Sequence, residues 1–565
     1  MSDILYIKPE VSRHRIAYSC FIVSSFVKVK IMELNKEKRG KCTFEDALDI
    51  SGFGKYNYSM LILCCFLILA MYIDIFGFSV LLPSVSCDMS LTTAQQGLLS
   101  AVPLIGIMVS SYAWGLCADT MGRRKTLLIA MPIGALFNLV ASIAPNYISL
   151  CVLKFFSAGF SSSANAAAFV LLGETIPRAH RSRFMFLMAS ATMVGQLAIC
   201  IPALPVFQLK FHIEVPALAM EYRPWRLLMQ ILSIPGLVGI TGMFFLNESP
   251  KFLLSKGLED RSIDVLKNMY HYNTGLDHDN YPVKSVCLDN SEIKWTTDTS
   301  FLRRMWNQTA PLFKPPLLKN SLKLYCILLC AYMTSTGFTM WVPTMTNAYF
   351  NGDDVTGKTF CEVASAAVRR SSQYARVTSN VTIDCDNVFK PMTLYAVMVY
   401  SGLCGLLNLV LTFIVGYLGK KKTTLLVFIV TVTCGIFLLF VRIPMLSIFL
   451  FYMFPYVALI LGNINTYLVE LNPTYLRGMA TCLSVVVARG FGFVSVQLIA
   501  TLLVDHCTPM MSGYIVLVLI GLATACLLPP DTKATTETLP TTQNELILGS
   551  NDSLNTIDQR KERHS

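Results

Sequence analysis

Charge is scarce in this chain. Only 14% of its 565 residues are Asp, Glu, Lys or Arg, while 54% are hydrophobic, and the mean hydropathy is +0.54. A soluble protein carries roughly a quarter charged residues, so a water-soluble globular chain is excluded. The patterns of soluble catalysts are missing as well. There is no Gly-x-x-x-x-Gly-Lys-Ser/Thr phosphate loop, Gly-x-Ser-x-Gly elbow, His-Glu-x-x-His helix or paired Cys-x-x-Cys motif, and the seven His are dispersed. Enzymatic chemistry, a cofactor and a metal are therefore not expected, and any energy used must come from a gradient. The formal charge of +11 would serve nucleic acid only through a basic, aromatic-interleaved face of a soluble domain; none is visible, and no nucleic-acid partner is expected.

Long apolar runs are what the chain has in abundance, and about 18 such residues suffice to cross a bilayer as a helix. The runs predict helices near 58–82, 96–117, 126–144, 147–172, 184–206, 226–246, 322–346, 392–417, 423–441, 446–470, 479–503 and 510–528, twelve in all. The reading is an all-α, multi-pass membrane protein with the lipid bilayer as its first partner. Basic residues are retained on the cytoplasmic side. The turns after helices 2, 4, 8 and 10 hold Arg123, Arg124, Lys125, Arg178, Arg181, Arg183, Lys420, Lys421, Lys422 and Arg477. Those after helices 1, 3 and 11 hold none, and the one after helix 9 holds Arg442. Both termini are thus expected in the cytoplasm, in a plasma or vesicle membrane.

This topology divides the chain into a cytoplasmic segment 1–57, a six-helix block 58–246, a linker 247–321, a second block 322–529 with an external loop 347–391, and a disordered cytoplasmic tail 530–565. The apolar patch IAYSCFIVSSF near the start is too short to span and lacks a clear cleavage site, so an interfacial segment is expected over a signal peptide. Of the eighteen Cys, four fall outside, Cys87, Cys361, Cys385 and Cys507. Cys361 and Cys385 share one loop in an oxidising space and are expected to be bridged. In the same loop Asn380, within NVT, is the acceptor placed to carry a glycan.

The two blocks repeat each other. LGETIPRAHR closes helix 4 and LVELNPTYLR closes helix 10, each writing Glu-x-x-Pro-x-x-x-Arg, with Glu174 and Arg181 echoed by Glu470 and Arg477. NESPK after helix 6 is echoed by PPDTK after helix 12. Two repeats of equal orientation place a site at their interface near the midplane. The turn after helix 2 reads GLCADTMGRRK: Gly115 permits close helix approach, Gly122 a tight turn, and Asp119 can accept bonds from a nearby Arg or a helix N-terminus, while the Pro-broken corner after helix 4 or 10 lets each Glu meet an Arg of the neighbouring turn, for instance Arg123 or Arg124. This cluster resembles the signature of the major facilitator superfamily, with Cys117 where Leu usually stands. The resemblance implies twelve transmembrane helices in two six-helix repeats, a monomer, and a cytoplasmic latch made of Gly115, Asp119, Gly122, Arg123, Arg124, Glu174, Arg181, Glu470 and Arg477. In the second half VGYLGKKK places Gly416 where Asp would stand, so a second latch is expected to be weaker.

Within the membrane, Asp74 lies sixteen residues into helix 1, about 24 Å deep, and is a candidate proton carrier; hydration near the outer surface is the blander alternative. Arg489 lies near the middle of helix 11, where an unpartnered charge costs at least about 2.5 kcal/mol; a cavity role, anion binding or pairing with Asp74, is expected over the alternative of a purely structural bond. Lys154 is shallower and has the reach to snorkel, and it joins Asp74 and Arg489 as a candidate proton or substrate residue. Trp341, Asn165, Gln196, Asn463 and Asn465 are candidate cavity residues, though aromatics and amides also serve helix packing.

TFEDALDISGFGKYNY, GFSVLLP, CADTMGRRK, GETIPRAHRSR, NESPKFLLSKGLEDRSIDVLKNMY and TGFTMWVP together are similar to the synaptic vesicle glycoprotein 2 group, especially its shorter invertebrate relatives, over nearly all of 43–530. Two departures stand out: Met71 replaces one member of an acidic pair in helix 1, and the loop after helix 7 is short. The resemblance implies secondary transport of a small polar or organic solute by alternating access, with a proton as candidate co-substrate. The alternatives are a non-transporting binding or regulatory protein, and an organic cation or sugar carrier.

Overall fold

The computed structural model describes residues 42–216, 220–287, 310–315, 317–351, 356–366, 391–472 and 477–529. Among these, eleven helices or helix pairs are long and apolar enough to cross a bilayer, and a twelfth is the pair Arg178–Thr192 and Gly195–Val206, bent by 42°. In chain order spans 1 to 6 are Lys55–Asp88, Thr93–Met121, Arg123–Ala141, Tyr147–Thr175, the bent pair, and Pro224–Met243. Spans 7 to 12 are Leu318–Asn351, Pro391–Leu418, Lys420–Phe440, Pro444–Leu471 with a 3-10 turn inside, Arg477–Leu502 and Cys507–Cys526. Each expected run coincides with a helix whose ends are displaced, because polar residues outside the apolar run start the helix. Thr92 caps span 2 and Asn146 caps span 4, each in a reciprocal capping box.

Lipid tails give apolar helices no hydrophobic reason to associate, so small residues and hydroxyls must let them pack. In the first half Ser110 Oγ donates to Gly159 O (2.7 Å), Trp114 Nε1 donates to the same carbonyl (2.8 Å), and Ser110 and Ser162 share a bond of 2.9 Å. In the second half the seam is aromatic and hydroxyl-rich: Phe338 meets Phe451, Phe454 and Tyr514 edge-on, and Ser495 Oγ donates to Met333 O (2.6 Å).

The internal repeat is visible in atomic detail at one turn. Gly122 (φ +110°) and Gly419 (φ +84°) both hold a conformation that disfavours any Cβ. In each case the Thr four residues on, Thr126 or Thr423, donates its hydroxyl to that glycine's carbonyl (2.7 and 2.8 Å). The basic residue two positions on then caps the last helix of its own half. Arg124 donates to Met243 O and Phe244 O (3.0 and 2.8 Å), and Lys421 donates to Leu528 O (2.6 Å); cations belong at helix C-termini.

At this basic end a small polar unit sits against the first half. Cys42–Thr43 pairs in parallel with Val286–Cys287, and Tyr281 donates to Ala47 O (2.7 Å). Asn273 Nδ2 donates to Gly52 O (3.1 Å), and its Oδ1 accepts from Tyr56 N (3.1 Å). Burial pushes the Tyr281 phenol up, and it raises the Asp49 carboxyl against the lowering effect of Arg178. The segment before span 1 and the linker after span 6, which read as separate polar stretches, therefore fold on each other. The two halves meet where span 2 lies along span 11 and span 5 along span 8. Toward the end opposite the basic turns, Gly97 lies against Ala500, and Gln196 Nε2 reaches Thr339 O at 3.5 Å.

Cys361 is bonded to Cys507, with Cα atoms 5.5 Å apart, which corrects the expected Cys361–Cys385 bridge. The correction follows from tertiary proximity: the short helix containing Cys361 is pinned to the start of span 12. Cys87 is also disulfide-bonded, to a partner outside the described side chains. Cys385 and Asn380 lie outside the described residues.

Candidate functional site

Midway along span 1, Asp74 is buried at 7% exposure inside the first bundle, and Lys154 of span 4 at 2%. They form an ion pair. Ser157 and Ser161 donate to the other carboxylate oxygen (2.8 and 3.1 Å). Lys154 Nζ donates to Asn138 Oδ1 (3.0 Å), and Asn138 Nδ2 donates to Ser233 Oγ (2.9 Å). The ammonium also stands over the Phe78 ring, 5.3 Å from its centroid. Four spans thus contribute to one polar core, and beside it lies a cavity of about 30 Å³ lined by Asp74, Asn138, Ser157, Ser161 and Ser233, room for a water or two.

This arrangement corrects two expectations. Lys154 does not snorkel, because its ammonium is satisfied in place, and Asp74 is neither hydrated at the outer surface nor paired with Arg489. Arg489 lies instead between the halves, 9% exposed, with its guanidinium 5.8 Å from the Tyr72 ring centroid. Its Nε is buried with no hydrogen-bond partner. Tyr332 of span 7 stands within electrostatic reach of both Arg489 and Tyr72.

At the basic end Arg123 pairs with Asp119 (3.1 Å) and Glu174 (3.2 Å) and lies over Phe252 at 4.9 Å. Ser249 donates to the same oxygen of Glu174, Oε2. Glu248, which the reading of NESPK did not single out, accepts from the backbone N–H groups of Arg124 and Lys125 (3.0 and 3.2 Å). It caps span 3 while Arg124 caps span 6, a reciprocal exchange between two helix dipoles. Arg181 does not join Glu174. With Arg178 it grips Glu45 of the segment before span 1 (2.7 and 3.4 Å), because the Pro177 corner turns it toward that unit. Gly115 has nothing within 4 Å of where a Cβ would stand, so close approach there is not its role. Asp119 is 71% exposed. The side chains of Glu470 and Arg477 lie outside the described ones, as does the surrounding of Gly416.

The remaining candidates separate. Trp341 is buried and donates to Val496 O (3.4 Å), joining spans 7 and 11. Asn463 bonds Lys420 O and Thr424 Oγ1 (3.4 and 3.3 Å), tying span 10 to span 9. Asn165 is half-buried and Asn465 exposed. A further ionic knot was missed: Asp88 holds Arg223 (2.8 Å) and Arg226 (3.6 Å) and accepts from Trp225 Nε1 (3.1 Å). Its signal was the RPWR run opening span 6 opposite an acid closing span 1.

The family model described as Major Facilitator Superfamily matches residues 64–496. The chain is 22% identical over 336 residues to synaptic vesicle glycoprotein 2B of Rattus norvegicus, covering 56% of this chain and 49% of that protein. It is 21% identical over 365 residues to synaptic vesicle glycoprotein 2A of the same species, covering 59% and 48%. The chain thus spans about half the length of these curated relatives, and the likeness covers less of it than the motifs suggested. Among solved structures, the xylose transporter XylE from E. coli, in a partially occluded inward open conformation, has a TM-score of 0.57 at 13% identity, covering 84% of this chain and 100% of that one. The crystal structure of a D-xylose-proton symporter gives 0.55 at 13% identity, covering 84% and 97%. At that identity the likeness concerns the fold.

Proposed function

The chain belongs to the Major Facilitator Superfamily, and from that premise we propose that it is a secondary active transporter moving a small polar or organic solute by alternating access, coupled to a proton that binds Asp74. The observation that carries the coupling is the buried Asp74–Lys154 pair. Removing one member of such a pair costs about 3–5 kcal/mol, because the other charge stays buried. Protonating Asp74 has that effect: Lys154 is left with the Asn138 amide oxygen and the face of Phe78. Turning a two-state equilibrium from 1:99 to 99:1 takes about 5.5 kcal/mol, so this one protonation supplies most of what a switch needs. Spans 1, 3, 4 and 6 all touch the polar core, and its rearrangement would tilt the whole first bundle against the second.

The solute would lie in the cleft where spans 1, 7 and 11 converge on Tyr72, Tyr332 and Arg489. The Arg123–Glu174–Ser249 cluster and the Glu248 exchange would hold the basic end of the first bundle together as it moves. The oxidised Cys87, Cys361 and Cys507 support an orientation with the basic turns in the cytoplasm and the opposite end in an oxidising space, at a plasma or vesicle membrane.

Uptake into proteoliposomes from a broad solute panel, with and without an imposed pH gradient, tests this. Wild type should accumulate a solute only with the gradient, and Asp74→Asn should lose the dependence. Accumulation indifferent to the gradient removes the coupling. Silence across the panel, with related carriers active in parallel, would favour a binding or regulatory protein.

A further inference from the structure

The first half neutralises the buried cations described above: Lys154 has Asp74, Arg123 has Glu174, and Arg226 has Asp88 together with the Ser142 and Ala144 carbonyls (3.1 and 2.7 Å). Arg489 is different. It is nine-tenths buried at the junction of the halves, and among the described residues no carboxylate lies within ion-pair distance of it. Its Nε, like those of Arg123 and Arg226, is shut from solvent without an acceptor among the described residues, so what sets it apart is the missing carboxylate. Asp74, the nearest answer that sequence offered, is engaged by Lys154, Ser157 and Ser161. A lone guanidinium at that depth carries a standing desolvation cost, and an aromatic face at 5.8 Å offsets only part of it. The site is electrostatically incomplete, and what completes it must bring negative charge.

We propose that Arg489 is the anion-recognising residue of the cleft and that its ligand is a small organic anion, a carboxylate or phosphate ester joined to a flat apolar body. A planar guanidinium fork matches the two oxygens of such a group. The apolar body is matched by the walls. Tyr72 and Phe76 lie stacked on span 1 with centroids 6.0 Å apart, and Tyr332 of span 7 is near enough to interact electrostatically with Tyr72 and Arg489. Met108 closes the side at Gly490, its sulfur 3.2 Å from where a Cβ would be. An organic cation would meet a positive site with no acid among the described residues to receive it, and a sugar would leave the charge uncompensated. This inference rests on the transport reading for what the cleft is for, and not for what it binds.

The test is equilibrium binding to the purified full chain in detergent, separate from uptake. Radiolabelled benzoate and phenyl phosphate are the anionic probes; benzamide and benzylamine have the same ring without the negative charge. At least one anion should bind saturably while benzamide and benzylamine do not, and whichever binds tells carboxylate from phosphate. Arg489→Gln should weaken it roughly 10- to 100-fold, the worth of a charged hydrogen bond. Arg489→Lys keeps the charge but not the fork and should fall between. Without ligand, Arg489→Gln should melt at or above wild type, since a buried charge without a partner has been removed. The proposal is overturned if neither anion binds wild type, if benzamide binds equally, if Arg489→Gln keeps full affinity, or if that variant fails to fold, which would make Arg489 a structural residue. Anion binding without any uptake would sink the transport reading and leave this one standing; uptake of uncharged solutes without anion binding would do the reverse.

Discussion

The two halves share a backbone device and differ in what fills their interiors. Both turn on a glycine of positive φ, and both send a basic side chain back to cap the last helix of the half. Yet the first half is held by charge: Asp74–Lys154, Arg123–Glu174, Asp88–Arg223 and the Glu248–Arg124 exchange. The described core of the second is held by hydroxyls and rings. Tyr456 donates to Tyr400 O (2.6 Å), Thr346 and Tyr452 share a bond of 2.8 Å, and Tyr349 reaches Ser447 at 3.2 Å. Buried ion pairs add little net stability but penalise any state that separates them. Neutral aromatic packing has no such dependence on protonation. On the transport reading proposed above, this difference would put the switching in the first bundle and a more constant scaffold in the second, with Arg489 as that scaffold's contribution to the proposed cleft.

The contrast breaks most decisively at Asp74. Asp74→Asn should lower stability by about 3–5 kcal/mol, since Lys154 is left buried and unpaired, and Asp74→Asn combined with Lys154→Gln should regain much of it. Thermal unfolding in detergent reads both; a double variant no better than the single would mean that the pair is not what the first half depends on. In the second half volume should matter where charge does not. Phe338→Ala should cost about 3 kcal/mol through the void it leaves among Phe451, Phe454 and Tyr514, equally at pH 5 and pH 8, and a pH-dependent loss would blur the distinction. The shared turn sharpens it further. Gly122→Ala and Gly419→Ala should each cost about 1–3 kcal/mol in backbone strain, and at Gly122 the methyl would also press on Glu248 and Phe252. The smallest effect should come from Asp119→Asn, below about 0.5 kcal/mol, because that carboxylate is 71% exposed and its ion pair is with Arg123 just across the Gly122 turn. A large change in unfolding temperature there would mean that the signature acid is structural in this conformation.

The legible parts of this molecule were those written in local chemistry. Apolar runs, the glycine-basic turn and the doubled Glu-x-x-Pro-x-x-x-Arg were enough for twelve spans, a repeat and the Arg123–Glu174 contact. Partners were less legible. Depth along a helix says nothing of which neighbour faces it, so Lys154 reads as free to snorkel, and the Glu-x-x-Pro-x-x-x-Arg spacing does not say which acid Arg181 meets. Glu45, some 136 residues away, is the partner. Cys361 was assigned to the nearest outside cysteine and is bonded to one 146 residues on.

What the sequence alone determined, then, is the membrane architecture and the doubled plan, because hydrophobic length and turn chemistry act within a few residues and need no knowledge of neighbours. Only the tertiary structure decided which charges are answered and which is left open. That depends on helix rotation and register, which place Asp74 against Lys154 and Ser157 inside one bundle and leave Arg489 between two, facing tyrosines and no acid among the described residues.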